Sequence, residues 1–270
     1  MYAIDFEYDG RYLSDYGFII CDFNPPSDAN IINSGSKLKF NTTAHNNGKK
    51  YSLTGTQYEE CIQATFDICK NPDLYDDLEI SIEEYRDIVR WLNRQKFLKF
   101  RIIDDENEFE PCYYEASFNV SKIKISEVLY GIELEMTTNR PFGFGVEIYK
   151  EYDFSDITKI HILRDTSDEI GYIYPMITIT CYQGGNLTVY NDITGSKMEI
   201  TNCLAGEVIT INGNTHSITT TKATHDIYNN FNYDYFKIGN TINNRSNKIS
   251  VSLPCKIELR YSPIIKNSPC

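Results

Sequence analysis

The sequence predicts a mainly β protein: an N-terminal β-sandwich-like domain with one α-helix and a projecting loop or hairpin, followed by a C-terminal antiparallel β-sandwich. Three observations carry this. Short apolar runs alternate with polar residues at period two and are separated by Gly, Asn and Asp turns. The chain holds 21 Tyr and 14 Phe, an aromatic content that suits strands and interfaces. Only one window has convincing helical spacing, from Ile82 to about Arg94. At 270 residues the chain exceeds the usual single core. The composition favours two domains, 1–150 and 151–270, meeting where the alternating run Leu129–Thr137 ends in Arg140-Pro141-Phe142-Gly143-Phe144-Gly145. Pro141 removes a backbone donor there, and Gly143 and Gly145 are expected to use backbone angles closed to other residues, forming a domain joint.

In chain order, Tyr2–Tyr8 and Phe18–Phe23 read as strands joined by turns at Asp9-Gly10 and Asp15-Tyr16-Gly17, and Pro25-Pro26 ends them. Asn24–Asn47 is rich in Asn, Ser and Gly, with one apolar alternation at Leu38 and Phe40, and reads as a long projecting loop or hairpin. In Tyr58–Cys69, Ile62, Ala64, Phe66 and Ile68 share one strand face. The helix follows, spanning 81–95 at most, capped by Ser81 with Glu84 completing the box; its apolar stripe is Ile82, Tyr85, Ile88, Val89 and Leu92. The sole tryptophan, Trp91, reads as packing. Strands are expected at Phe97–Ile103, Cys112–Val120 and from about Ile123 to Thr137, with Asp104-Asp105-Glu106-Asn107 as a solvated turn that lacks the spacing of a calcium loop. Phe154–Asp168 is mixed. Strands then recur at Ile173–Tyr182, Leu187–Tyr190, Met198–Thr201, Glu207–Ile211, His216–Thr220, Phe231–Ile238 and Lys248–Tyr261.

The 26 Lys and Arg against 38 Asp and Glu give a net charge of -12, and residues 1–150 hold -10 of it. Such a surface repels phosphates, which argues against specific nucleic-acid binding. No run of about 18 apolar residues occurs, so membrane insertion is not expected, and Met1–Tyr12 carries no signal-peptide h-region. The eight cysteines have neither C-x-x-C nor metal spacing and read as free buried thiols.

Catalytic signatures are missing. His45, His161, His216 and His225 sit beside no recognisable nucleophile and read as surface or turn histidines; H-E-x-x-H, G-x-S-x-G and the P-loop are not found. No enzyme activity, cofactor or metal is expected. Tyr172, Tyr174, Tyr182, Tyr190 and Tyr233 could stack on sugars, which keeps a cell-wall carbohydrate-binding module used in host adsorption as the alternative function. A hydrolase built from scattered carboxylates is a further one.

The chain resembles the distal tail proteins of long-tailed, siphovirus-type bacteriophages over nearly its full length. The resemblance rests on Ser14-Asp15-Tyr16-Gly17-Phe18, the single helix in a β-rich first half, Arg140-Pro141-Phe142-Gly143, Asp165–Pro175, Gly206–Ile211 and Phe231-Asn232 with Lys256-Ile257, in that order. It implies a structural virion protein of the tail tip: a hexameric ring of first domains with a central channel for DNA, carrying peripheral galectin-like β-sandwiches. The implied partners are other copies of the chain, the tail tube protein and the tail-associated hub or tail fibre protein, with receptor-binding proteins braced by the outer domain. The ring would be made in the host bacterial cytoplasm. Inter-subunit contacts are expected at Asn30, Ile31, Ile32, Lys37, Lys39, Arg140 and Phe142, and the domain joint at Pro141, Gly143 and Gly145. The galectin tryptophan that stacks on sugar has no counterpart, so lectin activity is not implied.

Overall fold

The computed structural model describes residues 3–23, 36–104 and 111–266. The chain divides into two compact units, Met1–Gly145 with Ile265–Cys270, and Val146–Ile264. All the ladders described below are antiparallel.

In the first unit the strands are β1 (Ala3–Tyr8), β2 (Arg11–Tyr12), β3 (Phe18–Cys21), β4 (Leu38–His45), β5 (Lys50–Tyr58), β6 (Gln63–Lys70), β7 (Leu98–Asp104), β8 (Tyr114–Ile125), β9 (Val128–Thr138) and β10 (Gly143–Phe144). Seven of them form one sheet in the order β2-β1-β7-β8-β9-β6-β3, which curls so that β3 returns to β1. Alternation sends Phe6, Tyr8, Phe66, Ile68, Phe100, Tyr114, Phe118, Ile132, Leu134 and Met136 to one face, where helix α1 (Ile82–Leu92) packs. The Phe6 ring lies 5.5 to 6.1 Å from those of Phe66, Trp91, Phe100 and Phe118. Such ring pairs add about 0.5–1.5 kcal/mol each beyond area burial.

The expected helix forms, closed at its start by the reciprocal Ser81 and Glu84 bonds of 2.7 and 3.2 Å. Its inward face is shifted from the expected stripe. Ile88, Trp91 and Leu92 are buried, whereas Ile82 is 67% exposed. Trp91 stacks on Tyr16 at 4.5 Å and donates its indole N–H to the Tyr8 carbonyl at 3.1 Å. The tryptophan is packing, as expected, and it ties the helix to β1.

Two strand boundaries differ from expectation for a readable reason. β8 runs on to Ile125 and turns through Ser126-Glu127, both at positive φ (50° and 71°), into β9. That is a two-residue primed turn without its usual Asn-Gly signature, so its position was hidden. β5 has no counterpart among the expected strands, and Tyr58, expected to begin the next strand, instead ends β5. The strand β6 starts at Gln63. Residues 24–35, including Pro25-Pro26, and residues 105–107 of the acidic turn lie outside the described residues.

The second unit is a sandwich. A five-stranded sheet has the order β11-β21-β14-β17-β18: β11 (Ile148–Phe154), β21 (Cys255–Tyr261), β14 (Met176–Cys181), β17 (Val208–Asn212) and β18 (Ser217–Thr220). A four-stranded sheet has the order β12-β20-β15-β16: β12 (His161–Arg164), β20 (Ser246–Val251), β15 (Gly185–Asn191) and β16 (Lys197–Cys203). β13 (Gly171–Ile173) pairs with β19 (Ile238–Asn240), a short helix α2 covers Ile227–Asn230, and β22 (Ile264–Ile265) ends the described elements. Inward residues of both sheets, among them Ile177, Ile179, Ile209, Ile257, Leu187, Val189, Ile200 and Ile249, form one core.

The expected strand Lys248–Tyr261 is two strands in different sheets, split where Pro254 denies a ladder donor. Phe231–Ile238 is not one strand either: Phe231 makes a lone bridge to Ile200, and Ile238 opens β19. Asn232 and Asp234 use their side chains to bond the backbone of Lys197 and Glu199 on β16, replacing a ladder, and Tyr233 sits at φ 59°. No described helix is long and apolar enough to cross a membrane.

Candidate functional site

The most solvent-exposed element of the first unit is the hairpin β4–β5, which turns at Asn46-Asn47-Gly48, all at positive φ. Its cross-strand pairs are Leu38 with Tyr58, Phe40 with Thr56, Thr42 with Leu53 and Ala44 with Tyr51. Paired residues share a face, so Leu38, Phe40, Tyr51 and Leu53 line one side. All four are exposed, by 44%, 61%, 64% and 59%. The reverse face carries Lys39, Asn41, Thr43, His45, Lys50, Ser52 and Gln57.

This amphipathic pattern is hidden in the sequence by a bulge. The register slips between Asn41 and Thr42, leaving Thr54 as the extra residue, its hydroxyl on the Asn41 carbonyl at 3.0 Å. Along β5 the apolar parity therefore changes from odd positions (Tyr51, Leu53) to an even one (Tyr58). Four lysines, Lys37, Lys39, Lys49 and Lys50, and no acid fall within residues 37–58. In a chain of net charge -12 this is a basic, half-apolar ribbon. A two-stranded ribbon alone is marginally stable in water, and burying one exposed Leu or Phe contributes about 1.5–3 kcal/mol, so the element is built to be covered.

The base of the hairpin is fixed by the segment after β9. Glu59 N bonds the Lys37 carbonyl at 2.9 Å, and Ser36 N bonds the Pro141 carbonyl at 3.0 Å. Phe142 packs its ring against Tyr58 and Phe144, and the Arg140 guanidinium lies 4.9 Å from the Phe144 ring. Thus Lys37, Lys39 and Arg140 are exposed, Pro141 and Phe142 are half-buried, and Asn30, Ile31 and Ile32 lie outside the described residues. Gly143 is required for space rather than for backbone angle. It is not among the positive-φ glycines, but a Cβ there would meet Cys112 Sγ at 2.4 Å and the Tyr114 ring at 2.8 Å. Gly145 likewise has no positive φ and is the last residue of its stretch of the first unit.

The histidine reading is corrected at one position. His225 is buried, with Nδ1 2.6 Å from Glu207 Oε1 and Nε2 2.9 Å from the Thr201 carbonyl. Glu207 is fully buried and also accepts from Leu204 N at 2.8 Å and from the Thr220 hydroxyl. Burial opposes charge on both, but for Glu207 the bonds from Thr220 and His225 win and lower its pKa. For His225 the Glu207 carboxylate wins and raises it. With both ring nitrogens facing acceptors, His225 is a structural cation. Its neighbours in chain order, a single Lys222 and Asp226, gave no sign of the partner 18 residues upstream.

Seven described cysteines are free thiols; Cys181, Cys203 and Cys255 are buried and the other four are half-buried. Among the described residues no group of His, Cys, Asp and Glu could hold a metal. A cavity of about 480 Å³ in the first unit is lined by Arg11, Arg90 and Arg94 with Asp9 and Asp87. Of the five tyrosines considered for sugar stacking, Tyr172 and Tyr174 both approach Lys237, while the Tyr182 hydroxyl is held by Asp153.

Comparison with known families matches residues 1–140 to the phage tail protein N-terminal domain and residues 142–261 to the phage tail C-terminal domain. The chain belongs to this phage tail protein family. Among solved structures it is similar to the SPP1 Dit (gp 19.1) protein, described as a paradigm of the hub adsorption apparatus in phages infecting Gram-positive bacteria. The TM-score is 0.67 at 11% identity, covering 96% of this chain and 98% of that one. The mainly β, two-domain fold is therefore shared with that structure, and the chain is a phage tail protein. No curated protein matches it in sequence.

Proposed function

We propose that this phage tail protein is a distal tail protein: its first unit assembles into a hexameric ring, and its second forms a peripheral galectin-like sandwich. The ring joins the tail tube to the tail-associated hub and the receptor-binding apparatus. The hairpin carries this reading, because Leu38, Phe40, Tyr51 and Leu53 are held out on one face of a two-stranded ribbon where a neighbouring subunit would cover them. A heterologous contact of this kind, repeated, closes into a ring. Lys37, Lys39, Arg140 and Phe142 lie on or at the base of the same ribbon.

The reading also gives the channel its surface. The sheet face turned away from the aromatic core carries Glu7, Glu115, Glu133 and Glu135 beside Lys99 and Arg101, the latter paired with Glu7 at 2.7 Å, while Asp67 on this face is buried. Lining the channel with it would keep DNA phosphates unbound during passage.

Because Glu59 N and the Lys37 carbonyl already meet, Leu38–Tyr58 can be replaced by Gly-Gly without separating the ends. The replacement leaves a folded chain that stays monomeric in light scattering. An unchanged oligomer mass would remove the hairpin from the interface.

A further inference from the structure

The hairpin needs a receiving surface, and the same chain carries one of opposite charge at the other end of the same strands. β6 pairs with β9 from Gln63–Thr137 to Cys69–Gly131. The hairpin enters at the Gln63 end, where Ile62 and Thr138 bond one another. The loop 71–80 leaves from the Lys70 end, where Ile80 N bonds the Leu129 carbonyl. The eight residues of β6 separate the two ends by about 23 Å.

That loop reads Asn71-Pro72-Asp73-Leu74-Tyr75-Asp76-Asp77-Leu78-Glu79. Four acids alternate with Leu74, Tyr75 and Leu78, and these apolar side chains are exposed by 64%, 40% and 37%. The loop is nonetheless rigid. Leu74 N and Tyr75 N both bond the Asn71 carbonyl, Lys70 Nζ bonds the Glu79 carbonyl at 2.6 Å, and the Tyr75 ring lies against Gly17. Asp77 is used internally, accepting from Glu79 N, whereas the carboxylates of Asp73, Asp76 and Glu79 have no hydrogen bond or ion pair to a described residue.

We propose that the unpartnered apolar face of hairpin β4–β5 docks on the Asp73–Glu79 loop of a second copy of this chain. Leu38, Phe40, Tyr51 and Leu53 meet Leu74, Tyr75 and Leu78, and the lysines pair with Asp73, Asp76 and Glu79 at the rim. Four lysines face three free carboxylates, and long lysine stems reach round a ribbon two strands wide. Placing donor and acceptor at opposite ends of one sheet lets the contact repeat head-to-tail until a ring closes, whereas reciprocal exchange between two copies would close a dimer of about 62 kDa instead. This assignment rests on the ring reading and adds its second surface.

A charge exchange tests it on the full-length chain. One variant carries Lys37→Glu, Lys39→Glu and Lys50→Glu; the other carries Asp73→Lys, Asp76→Lys and Glu79→Lys. Each alone puts like charges at every contact, and native mass spectrometry should find at least a tenfold loss of the ring species. An equimolar mixture restores attraction at every contact, so rings of alternating variants should return, which also shows both variants to be folded. Two results overturn the pairing while leaving the ring: variants that assemble alone like the wild type, and a mixture that fails to recover. A wild-type chain that remains monomeric at high concentration overturns the ring reading as well.

Discussion

Replacing His225 by Ala removes the cation from a pair that is buried on both sides, with side-chain exposures of 1% and 0%. Removing one partner of a buried pair costs about 3–5 kcal/mol, because the survivor is left charged and desolvated. Glu207 keeps two donors, Leu204 N and the Thr220 hydroxyl, so the lower end applies, about 3 kcal/mol. For a unit of this size that lowers the melting temperature by about 10 °C. The pH dependence has a definite sign. The His225 pKa is raised, so its contribution is complete below the ordinary histidine value of 6.5 and is lost as pH rises through the folded value. The Glu207 pKa is lowered, so its contribution is present above the ordinary value of 4.5 and lost as pH falls through the folded one. The pair therefore stabilises the second unit most between these values, and stability should fall as the pH rises above 6.5 through the raised folded value in the wild type. His225→Ala should flatten that fall. Urea unfolding read by alkylation of buried Cys181, Cys203 and Cys255 reports the second unit, and fluorescence of Trp91, the only tryptophan, reports the first as an internal control. A variant within about 1 kcal/mol of wild type, or one that keeps the same pH slope, would refute the structural-cation account.

Trp91→Ala should destabilise the first unit by about 3–5 kcal/mol, since it empties a stack with Tyr16 and Phe6 and leaves the Tyr8 carbonyl without its donor; circular dichroism melting checks it. Gly143→Ala should cost about 1–3 kcal/mol through overpacking against Cys112 and Tyr114, and a neutral result in urea unfolding would show that those side chains yield. Ser126→Asn with Glu127→Gly should raise stability by about 1 kcal/mol, because two residues at positive φ would be replaced by types that tolerate it.

The sequence was legible wherever a local rule acted alone. The Ser81–Glu84 box located the helix, and alternation located β1, β6, β14 and β17, because burial on one face imposes period two. It was misleading wherever tertiary structure changed the parity or replaced the ladder. The Thr54 bulge concealed β5, and with it the projecting face that is the centre of the candidate site. Phe231, Tyr233 and Tyr235 alternate with Asn232 and Asp234 and so look like a strand, but the Asn232 and Asp234 side chains replace the ladder; and the turn at Ser126-Glu127 works without glycine. The helix keeps Ile88 and Leu92 of the expected stripe inward and adds Trp91, which fills the space between Phe6 and Tyr16, while Ile82 in the first turn stays outside. His225 could not be placed from sequence, since its partner is brought to it by the β17–β18 turn and not by spacing.

The mass of the purified full-length chain in solution tests the central claim most directly. Native mass spectrometry should give a closed ring of six 31.2 kDa chains, near 187 kDa, together with six-fold rings in negative stain. A single species of 31.2 kDa at every concentration would contradict it.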